Sequence, residues 1–136
     1  VNALMFAANR ACYIYAAVQN DERMEALEAS GATVIYLPNA HAKVDLSAML
    51  SDLAQRGVNE LHVEAGHKLN GSLLREGLVD EMLVYVAPKL LGPGLGLANI
   101  GPFDTLAEGV TLDFTSIDRI GTDLRIVSKV LGRQPF

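Results

Sequence analysis

Apolar positions along the 136-residue chain fall into short runs separated by polar, glycine or proline punctuation. Ala11–Val18 (ACYIYAAV) is a continuous apolar run of strand length. The spacing then changes. Over Asp21–Ser30, Met24 and Leu27 recur at helical spacing with Ala26 beside them, Asp21 is a candidate N-cap, and Gly31 lies just past the end. Thr33–Leu37 (TVIYL) is a β-branched run closed by Pro38, so a second strand. Asp45–Arg56 repeats the helix logic: Asp45 caps, Leu46, Met49, Leu50 and Leu53 form one stripe, and Gly57 closes it. Glu60–Glu64 (ELHVE) reads as a third strand. Lys68–Glu76 reads as a shorter helix, with Leu69, Leu73 and Leu74 inward and Gly77 at its end. Met82–Ala87 (MLVYVA) is a fourth strand stopped by Pro88.

Strands that alternate with helices and are apolar without a break predict a largely parallel sheet covered on both faces. The last third differs. Leu90–Pro102 is a loop carrying Gly92, Gly94, Gly96 and Gly101. Leu112–Arg119 and Asp123–Leu131 flank Gly121 closely enough to predict an antiparallel hairpin at the sheet edge. The expected class is therefore α/β: a mixed, mostly parallel sheet with a C-terminal antiparallel hairpin. No internal repeat or low-complexity linker divides it, so one domain is expected.

Charge narrows the partners. Sixteen acidic residues against eleven basic ones give a formal charge of −5, and nucleic acid is excluded as a partner for want of a cationic footprint. No apolar stretch approaches the roughly 20 residues that span a bilayer, so no membrane role is expected. The single cysteine, Cys12, excludes an internal disulfide and a cysteine-based zinc site, and fits a reducing cytoplasm.

Three places could carry chemistry. In open α/β sheets ligands bind beyond the carboxyl ends of strands, and Val63-Glu64-Ala65-Gly66-His67 occupies such an end. Small residues there let backbone approach a phosphate or a nicotinamide, and the next helix offers N–H groups to an anion. The plainer alternative is a tight turn with a surface glutamate. Gly92–Gly96, preceded by Pro88 and Lys89, is a glycine-rich loop placed to close over a ligand; its alternative is a flexible connection. His41, His62 and His67 have no metal-ligand spacing, although His62 and Glu64 share a face. Familiar phosphate motifs fail: Gly66-x-x-x-x-Gly71 has the spacing of a P-loop, but Ser72 stands where lysine is required. Gly92-Pro93-Gly94 opens like a dinucleotide fingerprint, but Leu97 holds the third glycine position. No Gly-x-Ser-x-Gly elbow supports a serine nucleophile, and the adjacent Asp80 and Glu81 point opposite ways on an extended chain.

Val63-Glu64-Ala65-Gly66, Leu73-Leu74, Gly77-Leu78-Val79-Asp80-Glu81, Tyr85, Ala87-Pro88 and Leu91-Gly92 together resemble the C-terminal reductase domain of the bacterial bifunctional riboflavin-biosynthesis enzyme. The pattern is dense over about thirty residues, and Gly121-x-Asp123-Leu124-Arg125 in the last hairpin agrees. The resemblance implies a dihydrofolate-reductase-like three-layer fold. It also implies an NADPH-dependent reductase acting on 5-amino-6-(5-phosphoribosylamino)uracil, with the ribose ring opening to an imine and hydride passing to its C1 to give the ribitylamino product. The family's Glu-Gly-Gly strand end falls on Glu64-Ala65-Gly66. Glu64 would contact the pyrimidine side of the substrate, Ala65 and Gly66 would admit the cofactor, and Gly92 would join them in the cofactor site. A cytoplasmic homodimer is also implied.

Three departures shape the expectation. Alanine replaces the first of the two glycines, which narrows the backbone conformations open there. No zinc-deaminase signature occurs, and nothing matches the family's earlier strand and loops. Val1 is not an initiator methionine, which fits a reductase domain lacking its N-terminal part, and such a fragment is expected to turn over poorly alone. Two other readings share the fold class: a non-catalytic nucleotide-binding or dimerisation module, and a pterin reductase.

Overall fold

The computed structural model describes residues 10–132, and most predicted segments form within a few residues of their expected bounds. The chain divides into two compact units, residues 1–61 and 62–136, each described by itself.

In the first unit, β1 (Cys12–Ala16) and β2 (Ala32–Tyr36) pair in parallel, with Cys12 opposite Ala32 and Ala16 opposite Tyr36. Helix α1 (Asp21–Glu28) connects them and packs on β2, with Met24 and Leu27 half-buried. Its cap lies one residue earlier than expected. Asn20, not Asp21, holds the extended cap conformation and accepts the Arg23 N–H at 2.9 Å. Asp21 and Glu22 instead occupy the first turn, where their charge opposes the positive end of the helix dipole. Helix α2 (Leu46–Gln55) is capped by Asp45 as predicted, through the Ala48 N–H at 2.9 Å. Leu46 is buried.

Side chains then tie α2 to β1. Tyr15 donates its hydroxyl to Asp52 at 2.7 Å. Arg56, one turn on, donates to the same carboxylate at 2.7 Å and lies 4.6 Å from the centre of the Tyr13 ring. Tyr13 and Tyr15 stand two apart on β1 and so share a face.

In the second unit, α3 (His67–Arg75) precedes an antiparallel sheet of β3 (Glu81–Val86), β4 (Leu112–Ile120) and β5 (Asp123–Val130), in the order β3-β5-β4. Gly71, Leu73 and Leu74 are the buried residues of α3. The helix ends at Gly77, whose φ of +66° lets Leu78 N–H return to Leu73 O at 2.9 Å. The hairpin turns at Gly121–Thr122, with Ile120 opposite Asp123. A bulge between Phe114 and Ser116 interrupts β4, and Thr115 there donates to Val127 O at 3.1 Å. Arg125 bonds Asp118, its direct cross-strand neighbour, at 2.8 Å.

The α/β class and the C-terminal hairpin hold; two details differ. Residues 60–64 form no strand: they have no ladder partner among the described residues, and Leu61 and Val63 stay over 40% exposed. The boundary between the units falls inside this segment. Alternation supplies strand propensity, but a strand also needs a neighbour to take its N–H and C=O groups. The second difference is the proportion of parallel pairing. The run 82–87 was expected in a parallel sheet, yet β3 pairs antiparallel with β5. An apolar run reports burial, and burial is silent on the direction of the partner.

Candidate functional site

The Val63–His67 segment runs into the start of α3. Gly66 is the N-cap residue, at φ −88° and ψ 171°, and has no side chain to cap the helix. Helical bonding starts with Asn70 N–H to Gly66 O at 3.1 Å, so the helix itself leaves the N–H groups of His67, Lys68 and Leu69 unused. A Cβ placed on Gly66 would meet nothing within 4 Å. Backbone donors at the positive end of a helix, beside open space, suit an anionic oxygen such as a phosphate. The donor set therefore fits the phosphate of a dinucleotide.

Ala65 keeps an ordinary backbone; Ala42 is the non-glycine residue at positive φ among the described residues. Alanine in place of glycine thus costs no strain at this turn. Glu64 is well exposed, and its Oε1 lies 3.8 Å from His62 Nε2. The shared face expected of that pair is present although the segment is not a strand. An exposed carboxylate accepts hydrogen bonds from N–H groups.

The glycine-rich loop reaches this turn at its far end. His67 bonds Gly96 O through Nδ1 at 2.9 Å. A carbonyl only accepts, so Nδ1 carries the proton. Asn99 N–H donates to His67 O at 3.0 Å, and Arg75 donates to Asn99 O. Asn70 donates to Ala65 O at 3.3 Å and to Leu97 O at 3.2 Å. These contacts gather Gly96–Asn99 onto α3 beside Ala65–Gly66. They stop short of Gly92, which stands exposed at φ +79° with open space around it. Leu90, Leu91 and Leu95 are also almost fully exposed. Lys89 is exposed at the end of β3, with its N–H on Ala87 O at 2.8 Å.

The rest of the candidate chemistry stays apart. His41 lies in the loop before α2, its N–H on Asn39 Oδ1 at 2.9 Å. No cluster of three metal-ligating side chains occurs among the described residues. A concavity of about 530 Å³ lies between Ile100 and Gly109, built from one loop segment and touching none of the candidates; we give it no role. No helix among the described residues is long and apolar enough to cross a membrane.

His67, Asn70 and Gly71 were not singled out as a unit by the sequence. One signal existed: a glycine inside a helix costs about 1 kcal/mol against alanine, which calls for a packing reason. That reason is the backbone of Asn99, which a Cβ on Gly71 would strike.

The chain is similar to known proteins. The chain is 37% identical over 91 residues to the riboflavin biosynthesis protein RibD of Escherichia coli, covering 66% of this chain and 25% of that protein. It is 32% identical over 96 residues to the 5-amino-6-(5-phosphoribosylamino)uracil reductase of Buchnera aphidicola, covering 70% of this chain and 46% of that one. It thus spans about a quarter to a half of the length of these relatives. A solved structure of Acinetobacter baumannii RibD superposes with a TM-score of 0.72 at 23% identity, over 87% of this chain and 30% of that one, and so shares the dihydrofolate-reductase-like fold. The sequence model of the RibD C-terminal domain matches residues 5–126. By that match the chain belongs to the RibD C-terminal domain family.

Proposed function

We propose that this chain is an NADPH-dependent reductase of riboflavin biosynthesis, acting on 5-amino-6-(5-phosphoribosylamino)uracil. The observation that carries this reading is the Glu64-Ala65-Gly66 turn, which opens straight into α3 with three backbone donors free of the helix. The family match and the name of the Buchnera relative support the substrate.

In this reading Ala65 and Gly66 let the cofactor approach the backbone, and the first turn of α3 binds a phosphate oxygen. Gly92 and the loop after it close over the same ligand. Glu64 accepts hydrogen bonds from the aminouracil and so fixes which end of the substrate faces inward. When bound, the nicotinamide supplies the hydride for the ribosyl C1. The working protein in this reading is a cytoplasmic homodimer, checked by sedimentation velocity.

Titration of the full chain with NADPH and NADH, followed by nucleotide fluorescence, tests cofactor binding. Saturable binding with preference for NADPH is expected. An NADPH-oxidation assay with the phosphoribosylaminouracil then tests the reaction, with slow turnover expected of this chain alone. Absence of affinity for either nucleotide would overturn the reading in favour of a non-catalytic module.

A further inference from the structure

The Glu64–Gly66 turn and the glycine-rich loop are far apart in sequence, and one side chain bonds both. Asn70 lies in the first turns of α3, half-buried. Its Nδ2 is 3.3 Å from Ala65 O and 3.2 Å from Leu97 O. Both neighbours are carbonyl oxygens, so the amide nitrogen is the end that faces them, and it spends one hydrogen on each. The bonds on either side run in the same direction. His67 holds Gly96 O, and Arg75 holds Asn99 O one helical face along. Gly71 leaves the room in which the Asn99 backbone lies.

We propose that Asn70 is a positioning residue: it fixes the glycine-rich loop at a set distance from the Glu64–Gly66 turn, so that a ligand is met by both at once. The inference rests on the cofactor reading above for the identity of that ligand, and on the hydrogen bonds alone for the clamp. A loop carrying Gly92, Gly94 and Gly96 has much backbone freedom to lose when a ligand binds. Anchoring its downstream end in advance lowers that loss, which is the physical content of preorganisation. Asn70 itself touches no ligand in this scheme.

Asn70→Asp is the informative variant, because it keeps the size and removes both donors. Asn70→Ala is the second. Hydrogen exchange on the full chain should show the Asn99 amide, which is bonded to His67 O, exchanging about tenfold faster in both variants, with the amides of β5 unchanged. NADPH affinity should fall about tenfold, equivalent to about 1.4 kcal/mol. Tyr15→Phe, in the other unit, should lower the Tm while leaving NADPH affinity alone. Wild-type exchange of the Asn99 amide in Asn70→Asp would overturn the clamp. Faster exchange with unaltered NADPH affinity would overturn its positioning role. Faster exchange in a chain whose wild type binds no nucleotide would leave the clamp standing and overturn the cofactor reading and, with it, the role in meeting that ligand.

Discussion

Gly71 and Asn99 meet backbone to backbone: a Cβ on Gly71 would fall 2.7 Å from the Asn99 nitrogen and carbonyl carbon. Neither atom belongs to a flexible side chain, so nothing gives way cheaply. Gly71→Ala would gain about 1 kcal/mol of helix propensity in a free helix. Here it overpacks, at a cost of about 1–3 kcal/mol. The expected result is a lower Tm, with faster exchange of the Asn99 amide. A raised Tm would show that the loop does not lie on α3.

Gly66 offers the opposite case. Its backbone is acceptable to alanine, and a Cβ meets only open space. Gly66→Ala should therefore leave the Tm within about 0.5 kcal/mol of equivalent stability. If the cofactor approaches here, NADPH affinity falls all the same. Equal affinity in the two proteins would move the cofactor away from this turn.

Glu64 is exposed and makes one long contact, to His62 at 3.8 Å, so its loss should cost the fold little. On the proposed function, Glu64→Gln should reduce kcat/KM for the aminouracil about tenfold or more through loss of a charge-assisted hydrogen bond. The Kd for NADPH should stay put. Wild-type kinetics would remove Glu64 from the substrate site.

The Tyr15–Asp52–Arg56 cluster makes the first unit pH-sensitive at both ends. Burial, with the Asp52 carboxylate beside it, pushes the Tyr15 phenol up to about 12. Its contribution is fully present below the ordinary tyrosine value of 10.0 and is lost as pH rises towards 12. Hydrogen bonds from Arg56 and then Tyr15 hold Asp52 below the usual carboxylate range. Its contribution is present above about pH 4 and fades as pH falls through the depressed value. Tyr15→Phe should cost about 1 kcal/mol at pH 7. Between pH 10 and 12 that difference should shrink, because the wild type alone loses the phenol contribution. Parallel melting curves in that range would sink the assignment.

Asp118 behaves like Asp52: Arg125 first, then Ser116, lowers its carboxyl through hydrogen bonds. Acid should therefore loosen the β4–β5 pairing as pH drops below about 4. In Asp118→Asn, amides of β4 and β5 should exchange faster at pH 7 and lose that acid dependence. Unchanged exchange at pH 7 and an intact acid dependence would show that the pair does not hold the strands.

Local chemistry was legible in the sequence where the cause was local. Asp45 followed by an apolar stripe specified α2 and its cap, and Gly77 specified where α3 stops, because both effects act within one helical turn. Gly121 between two β-rich runs specified the hairpin. The dense pattern from Val63 to Gly92 pointed to the family before any coordinates. Long-range partners were not legible. The alternation in Glu60–Glu64 could not show that no strand among the described residues pairs with it, and the apolar run of β3 could not show that β5 would run antiparallel. Nor could spacing reveal that Asn70 joins Ala65 to Leu97. A hydrogen bond between residues 27 apart depends on where the loop lands, and the landing place is set by the room at Gly71 and by donors on a helix face that exist only once α3 has formed.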